Sequence, residues 1–335
     1  MQGAEISLSV IVVLVALAML FDFMNGFHDA ANSIATIVST RVLKPHQAVV
    51  WAAVFNVIAI FVFQLKVATT IGKGTIDPSV VDHYVVFGAL IGAILWNIVT
   101  WYYGIPSSSS HALIGGLVGA AMAKAGPSSL IWSGVGKTVL FIFVAPILGF
   151  ALGAFLMIVV SWLCNRTSPR RVDKIFRRLQ LLSAAAYSLG HGGNDAQKTI
   201  GIIWMLLIAA GISKSGESVP NWVIFGCYLS MGLGTMFGGW RIVKTMGQRI
   251  TKLNQASGFC ANSGGALTLF MATYFGIPVS TTHTITGAIT GVGATHGTKK
   301  VRWSTAGGIV WAWILTIPAS ALMAAIAWYI GRLIL

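Results

Sequence analysis

Long apolar runs recur along this chain, and they limit its fold more than any other feature. They cover residues 8–20, 49–63, 85–99, 140–162, 223–237, 266–275 and 309–330. The runs approach or exceed the length that a helix needs to cross a bilayer, and one signal peptide cannot account for so many. Hydrophobic residues make up 56% of the 335 positions, more than a soluble domain of this size can bury. The sequence therefore predicts an all-α integral membrane protein.

The formal net charge of +14 at pH 7 resides mainly in the loops between these runs. In a soluble protein such a charge would indicate nucleic-acid binding, but the loop Lys and Arg residues of a membrane protein set its orientation. We therefore expect no nucleic-acid partner. Cys164, Cys227 and Cys260 lie in apolar sequence without metal-like spacing, so we expect small buried side chains there and no cofactor.

Two pairs of polar motifs show that the chain contains an internal duplication. Asn25–Ala35 reads NGFHDAANSIA, and His191–Gly201 reads HGGNDAQKTIG. Gly104–Gly116 reads GIPSSSSHALIGG, and Gly276–Ala288 reads GIPVSTTHTITGA. The motifs occur in the same order in both halves with similar apolar sequence between them, so coincidence does not account for them. We expect a first repeat over residues 1–164, a basic cytoplasmic linker over 165–178 and a second repeat over 179–335.

Loop charge predicts that the two repeats cross the membrane in opposite senses. Basic residues mark the linker and several other loops as cytoplasmic by the positive-inside rule. These residues are Arg41, Lys44, Arg241, Lys244, Arg249, Lys252, Lys299, Lys300 and Arg302. Corresponding loops of the two halves then lie on opposite faces, as in an inverted-topology repeat with about five membrane-crossing segments per half. Discontinuous helices, re-entrant helical hairpins and extracellular termini complete this prediction, which is typical of secondary transporters.

Asp29 and Asp195 occupy matching positions inside apolar segments. A carboxylate there costs at least about 2.5–3.5 kcal/mol on insertion scales, which makes an intramembrane Asp a candidate functional residue. Gly26, Gly192 and Gly193 predict an unwound turn beside each carboxylate, with free carbonyl oxygens that could bind a cation. The alternative is that each Asp only joins neighbouring helices through hydrogen bonds. Asp22 is a weaker candidate, because Ser188 holds no carboxylate at the matching position.

The second motif pair predicts an anion site. A proline precedes each run of hydroxyl residues, and a helix-like segment follows it. The runs are Ser107, Ser108, Ser109 and Ser110 in the first half and Ser280, Thr281 and Thr282 in the second. Free backbone N–H groups, hydroxyl donors and the helix dipole would converge there on an oxyanion. A plain helix cap is the alternative for either run alone.

Four histidines and one lysine accompany these motifs. His111 and His283 match one another, and either could carry a proton or make neutral hydrogen bonds. His28 and His191 do not match, and their roles stay open. Lys198 adds a fixed positive charge to the second Asp motif, where Asn32 is its counterpart in the first. A site that joins carboxylates to anion donors binds an oxyanion readily only when a cation neutralises the carboxylates, which is a physical basis for symport.

These motifs resemble those of the inorganic phosphate transporter family, in particular its bacterial low-affinity branch. The resemblance covers nearly the whole chain, and it implies phosphate import coupled to a cation gradient and a homodimer. It implies a cation-linked site at Asp29, Asn32, Asn194 and Asp195, with phosphate near Ser108, Ser109, Ser110, Ser280, Thr281, Thr282 and Lys198. Asp22, Asn25, His28, His111, His191 and His283 are further candidates.

The sodium-coupled form of that family repeats an Asn-Asp-x-x-Asn pattern in both halves, and this chain departs from it. His28 replaces the first Asn of one copy, and Lys198 replaces the last Asn of the other. We therefore predict proton coupling, with a sodium ion at Asp29, Asn32 and Asp195 as the alternative. The compact chain suggests a bacterial inner membrane.

Several alternatives stay open from the sequence alone. A sulfate permease on the same fold and a metal-phosphate complex as substrate are the nearest. Two alternatives belong to other functional classes, a passive anion channel and an intramembrane hydrolase with a Ser-His-Asp triad. We expect no enzymatic activity, because every ingredient of such a triad is duplicated here and a triad needs no duplication.

Overall fold

The structure is a computed structural model that describes residues 7–214 and 216–334. Within these ranges the chain is helical, apart from one isolated antiparallel bridge between Ile76 and Leu130. Twelve α-helices are formed: α1 (Leu8–Ser39), α2 (Pro45–Ile58), α3 (Lys66–Gly74), α4 (His83–Tyr103), α5 (Ser109–Ala125), α6 (Trp132–Leu163), α7 (Pro169–Ala209), α8 (Asn221–Phe237), α9 (Trp240–Lys244), α10 (Gln255–Tyr274), α11 (Thr281–Thr295) and α12 (Trp303–Ile334). The prediction of an all-α fold is confirmed.

Four of these helices, α1, α4, α6 and α12, are long and apolar enough to cross a membrane on their own. Two further spans arise if each bent pair counts as one, where Pro45–Phe61 meets Lys66–Gly72 at 83° and Asn221–Phe237 meets Trp240–Arg249 at 62°. The helices α7 and α10 fall outside this set because polar residues interrupt their apolar sequence. The structure thus contains discontinuous helices, whereas five crossing segments per half stays a prediction.

The prediction of an unwound turn beside each intramembrane Asp is wrong, because α1 and α7 run without a break through Asp29 and Asp195. The glycines next to these carboxylates instead let neighbouring helices approach closely. A Cβ atom at Gly26 would lie 2.0 Å from the carbonyl oxygen of Met231, and one at Gly192 would lie 2.3 Å from that of Asn56. These glycines therefore hold α8 against α1 and α2 against α7.

The interruptions beside the Ser/Thr motifs are sharp turns between α4 and α5 and between α10 and α11. Gly104 and Gly276 have φ angles of 67° and 68°, a left-handed conformation that favours glycine. After each turn a serine side chain caps the new helix, since Ser108 accepts from the backbone N–H of His111 and Ser280 from that of His283, both at 3.2 Å. The two hairpins are thus built alike.

The long helices α6 and α12 each pack against the hairpin of the other half of the chain. The helix α6 packs against α10 and α11, whereas α12 packs against α4 and α5. Each long helix has an internal proline, Pro146 in α6 and Pro318 in α12. Their outer faces expose large apolar side chains such as Ile147 and Leu322, which a lipid bilayer would cover.

The basic segment predicted as a linker is largely helical, because α7 begins at Pro169 and includes residues 169–178. Arg177 donates from Nη2 to the carbonyl oxygen of Arg41 at 3.1 Å. Two segments that the charge pattern assigned to one face therefore lie side by side.

Candidate functional site

The two motif pairs meet in the interior of the protein, where α1, α5, α7 and α11 come together. Every predicted site residue on these helices is at most 3% exposed. The set comprises Asp22, Asn25, His28, Asp29, Asn32, Ser108, Ser109, Ser110, His111, His191, Asn194, Asp195, Lys198, Ser280, Thr281, Thr282 and His283. Polar groups buried this deeply need partners, and most of these find them in one another.

In the first repeat, Asp29 binds the serine run directly. Ser109 donates from Oγ to Oδ2 of Asp29 at 2.8 Å and lies 2.5 Å from Oδ1 of Asn25. The other carboxylate oxygen, Oδ1, is 2.6 Å from Nδ1 of His28, whose Nε2 lies 3.0 Å from Oγ1 of Thr100. His28 thus connects Asp29 to α4.

In the second repeat, Asp195 makes the matching contact and also lies within 3.3 Å of polar atoms of Ser110, His191 and Lys198. Thr281, the counterpart of Ser109, donates from Oγ1 to Oδ2 of Asp195 at 3.0 Å. The shortest of these contacts is with Lys198, whose Nζ lies 2.5 Å from Oδ1 of Asp195. The ion pair is fully buried, so it attracts strongly but also carries a large desolvation cost.

Contacts between the repeats follow the same symmetry. Asn32 donates from Nδ2 to Thr281 and Thr282 at 3.2 and 2.9 Å. Lys198 is the residue of the second repeat that corresponds to Asn32. It donates to Ser110 at 2.6 Å and to the carbonyl oxygen of Val279 at 2.7 Å. Each copy of the Asp motif therefore bonds the Ser/Thr motif of both halves, and Lys198 brings the only fixed positive charge among the described residues of this set.

A cation could be held between the two Asp motifs. Single ligand atoms of Asp29, His191 and Asp195 lie within 4.8 Å of one another. The Oδ1 atom of Asn32 is buried without a hydrogen-bond partner and could also bind a cation. The chemistry of these oxygens suits a hard monovalent ion, but the ammonium group of Lys198 already neutralises Asp195.

Asn194 positions a hairpin and does not contact a carboxylate. Its Nδ2 donates to Oγ1 of Thr273 and to the carbonyl oxygen of Ile277, and its Oδ1 accepts from the N–H of Val279. The donors and acceptors of this amide therefore secure the turn that leads into Ser280. Asp22 bonds the second Asp motif from α1, because its Oδ1 accepts from Thr199 at 2.9 Å.

The matching histidines lie face to edge between the hairpins. The ring centroids of His111 and His283 are 4.7 Å apart, and His283 stacks on Trp313 at 3.9 Å. The indole N–H of Trp313 donates to the carbonyl oxygen of Pro106. These contacts join α5, α11 and α12 beneath the hydroxyl runs, so packing is the role that the geometry favours for both rings.

Several polar residues that take part in the site were not predicted from the sequence. Tyr187 donates from its hydroxyl to the carbonyl oxygen of Thr281 at 2.8 Å, and Gln197 accepts from the N–H of Val67 at 2.9 Å. Tyr187 precedes His191 by four residues on α7, so helical spacing would have placed it on the same face. Its partner is a backbone atom, which no motif reveals.

Each hairpin turn is also held by a basic residue and a threonine of a short helix. Lys66 donates from Nζ to the carbonyl oxygen of Tyr274 at 3.1 Å, and Thr70 donates to that of Gly276 at 2.7 Å. Arg241 and Thr245 make the same pair of contacts to Tyr102 and Gly104. We call these two sets the clamps, and they extend the duplication to the bent helix pairs.

Long apolar helices around a buried, duplicated polar centre define a membrane transporter. Residues 25–324 match the phosphate transporter family, and the chain belongs to that family. It is a phosphate transporter.

Its relatives are named as transporters and not as enzymes. A probable low-affinity inorganic phosphate transporter of Rhizobium meliloti (strain 1021) is 59% identical over 99% of this chain and 100% of its own length. A protein of Bacillus subtilis (strain 168) with the same description is 46% identical over 98% of each chain. A solved structure described as the sodium-dependent phosphate transporter superposes with a TM-score of 0.89 at 25% identity, over 98% of this chain and 100% of the other.

Proposed function

We propose that this protein imports inorganic phosphate together with protons. The observation that carries the proposal is the contact set of Lys198, which reaches Asp195 and Ser110 from the position that Asn32 holds in the other repeat. A permanent ammonium group there takes the place that a metal cation would need. The phosphate relatives and the hydroxyl donors of both hairpins support the nature of the substrate.

Charge balance explains why a proton would be needed. With Asp22 protonated and the histidines neutral, Asp29, Asp195 and the ammonium group of Lys198 leave the site with one unbalanced negative charge. Ser109 contacts Asp29, so an oxyanion that accepts hydrogen bonds from Ser109 must lie close to that carboxylate. A proton taken up at Asp29 or His28 from the outer face removes the repulsion and travels inward with the phosphate. Release of both on the cytoplasmic side then returns the site to its starting charge.

Sodium coupling is the second candidate, and two observations favour it. The structural neighbour is described as sodium-dependent, and the carbonyl oxygen of the Asn32 side chain is buried without a partner near the Ser/Thr motifs. In that case Asp29 and Asn32 would bind the ion, and Lys198 would exclude a second one from Asp195.

We further propose the arrangement of the whole protein. Repeats over 1–164 and 179–335 would cross the bacterial inner membrane in opposite senses, joined by the basic segment 165–178, with re-entrant hairpins at Gly104 and Gly276 and a homodimeric assembly. The termini would face outward, although residues 1–6 and 335 lie outside the described ranges. The matching contacts of the two clamps and the reciprocal packing of α6 and α12 support the duplication.

Transport into proteoliposomes under separate gradients tests the proposal. Labelled phosphate should accumulate under an inward pH gradient and should not respond to an inward sodium gradient at constant pH. Accumulation that follows sodium alone would refute proton coupling and support the second candidate. Competition by excess sulfate would reveal a sulfate permease, dependence on added divalent cations would reveal a metal-phosphate substrate, and uptake without accumulation would reveal a passive channel.

A further inference from the structure

A cleft with a volume of about 550 Å³ opens between two loops of the second half of the chain. One loop runs from the bent end of α9 to Asn254, and the other joins α11 to α12. We call it the basic cleft, and its polar lining includes Thr251, Lys252, Asn254, His296, Lys300 and Arg302. It lies outside the buried motif pairs, and the transport mechanism does not use it.

The charge of the basic cleft is uncompensated. Lys252, Lys300 and Arg302 are exposed, and none of them forms a salt bridge within the described residues. No carboxylate lines the cleft among the described residues. The pKa of His296 is lowered below its usual value, mainly because the imidazole is partly buried and also because Lys300 repels its charged form. The neutral ring therefore adds a hydrogen-bond donor without a further charge.

At the corresponding position in the first repeat, the basic residue is paired with a carboxylate. There Asp82 caps α4 through the N–H of Val85 at 2.8 Å, and Lys124 donates to the Asp82 carboxylate at 2.7 Å. Lys124 also donates to the carbonyl oxygen of Val80 at 2.8 Å. This ion pair joins two loops of the first repeat without any external anion.

In the second repeat, different residues occupy the three corresponding positions. Asn254 replaces Asp82 and keeps its capping contact, a hydrogen bond of 2.8 Å from the N–H of Ser257. His296 stands in the place of Lys124, and Lys252 stands in the place of Val80. The carboxylate has been lost and cations have been gained around an open cleft. A cytoplasmic orientation requires Lys and Arg in the loops, but it does not require three of them to surround one cavity without an acidic partner.

We propose that the basic cleft binds the phosphate group of an anionic ligand, which takes the place that Asp82 fills in the first repeat. The ligand is either free inorganic phosphate, the transported product at this face, or the phosphate of a lipid headgroup. Three cations and the side-chain NH2 group of Asn254 provide charge and hydrogen-bond donors for phosphate oxygens. This binding is separate from the transport site, and it does not depend on the coupling ion.

The test compares three forms of the full chain. A cleft variant combines Lys252→Gln, Lys300→Gln and Arg302→Gln. A control variant removes the same number of charges outside the cleft, through Lys174→Gln, Lys214→Gln and Lys299→Gln, all at exposed positions. The wild type is the third form, and both variants keep the buried motif pairs intact.

Equilibrium dialysis with inorganic phosphate, in a neutral detergent at low ionic strength, examines the first source. Thermal unfolding in vesicles with and without phosphatidylglycerol examines the second. Each Lys or Arg near an anionic membrane surface contributes about fivefold to binding, so the cleft variant should lose roughly a hundredfold in affinity. The wild type and the control variant should bind a second phosphate per chain that the cleft variant lacks, or they should gain stability from phosphatidylglycerol when the cleft variant does not.

Either of these differences supports the proposal and identifies the source of the phosphate. If the cleft variant matches the wild type in both phosphate stoichiometry and the response to phosphatidylglycerol, the proposal is overturned. Loss of the remaining phosphate on Ser109→Ala with Thr281→Ala identifies it as bound at the transport site. A failure of the basic cleft and a failure of the proposed transport mechanism therefore give different results.

Discussion

The Nζ atom of Lys198 lies 2.5 Å from Oδ1 of Asp195, and neither side chain is exposed by more than 2%. The matching residues of the first repeat, Asn32 and Asp29, make no such pair, because Asn32 bonds Thr281 and Thr282 instead. One repeat therefore pairs its carboxylate with a lysine, and the other places its carboxylate against the imidazole of His28. We infer that coupling depends on Asp29 and anion attraction on Lys198.

Replacing Lys198 with Met should strongly destabilise the protein. The Asp195 carboxylate would stay buried without its cation, and breaking a buried ion pair in this way costs about 3–5 kcal/mol. The midpoint of thermal unfolding of the detergent-solubilised protein should fall sharply, and phosphate uptake should be lost.

Adding Asp195→Asn to Lys198→Met removes the uncompensated charge, so most of the lost stability should return while uptake stays absent. If the single and double variants unfold at the same midpoint, the ion pair stabilises the folded protein through packing alone and not through its charges. Lys299→Met, a change at an exposed loop position, serves as the control and should leave both stability and uptake unchanged.

Ser109→Ala and Thr281→Ala should each weaken phosphate binding. Both hydroxyls begin a helix of a hairpin and donate to a carboxylate, so each would turn its single O–H from that carboxylate to an oxyanion bound between the hairpins. Loss of one hydrogen bond to a charged group is worth about 1.5–3 kcal/mol, which corresponds to roughly a tenfold to hundredfold rise in the phosphate concentration needed for half-maximal counterflow. Ser128→Ala, at an exposed loop position, should change nothing. Unchanged counterflow in both motif variants would exclude these hydroxyls from the phosphate site.

The sequence was sufficient to predict the helical class and the burial of both motif pairs, because hydropathy depends on local chain properties. It misplaced the breaks in the helices. Gly192 suggested an unwound turn, but the glycine is needed because the backbone of Asn56 on another helix approaches it. The contacts of Tyr187 and Lys66 with backbone carbonyl oxygens could not be predicted from the sequence either. Any residue can supply such an acceptor, and only the tertiary fold selects one.

Tyr187→Phe should reduce transport more than stability. The lost hydrogen bond to the carbonyl oxygen of Thr281 is worth about 0.5–1.5 kcal/mol, a small part of the folding free energy. The same bond sets the start of α11, and a small displacement there moves the Thr281 hydroxyl away from Asp195. Initial uptake rates and thermal unfolding should be measured together, with Tyr329→Phe at an exposed position as the control. A loss of stability with normal uptake would contradict a positioning role.

Gly104→Ala should impair both folding and transport, because an alanine is strained at a φ angle of 67°. The strain is worth about 1–2 kcal/mol, and the added Cβ would lie only 3.3 Å from that of Arg241 in the clamp. The turn would have to shift, and the Ser/Thr motif that follows it would shift as well. Gly136→Ala is the matched control, because this glycine lies within α6 and, apart from its chain neighbours and the adjacent backbone of the helix, no atom lies within 4 Å of the added Cβ. A helical Ala there should stabilise by about 0.5–1 kcal/mol, so the two substitutions should move the unfolding midpoint in opposite directions. If Gly104→Ala transports phosphate at the wild-type rate, the geometry of this turn does not limit the transport cycle.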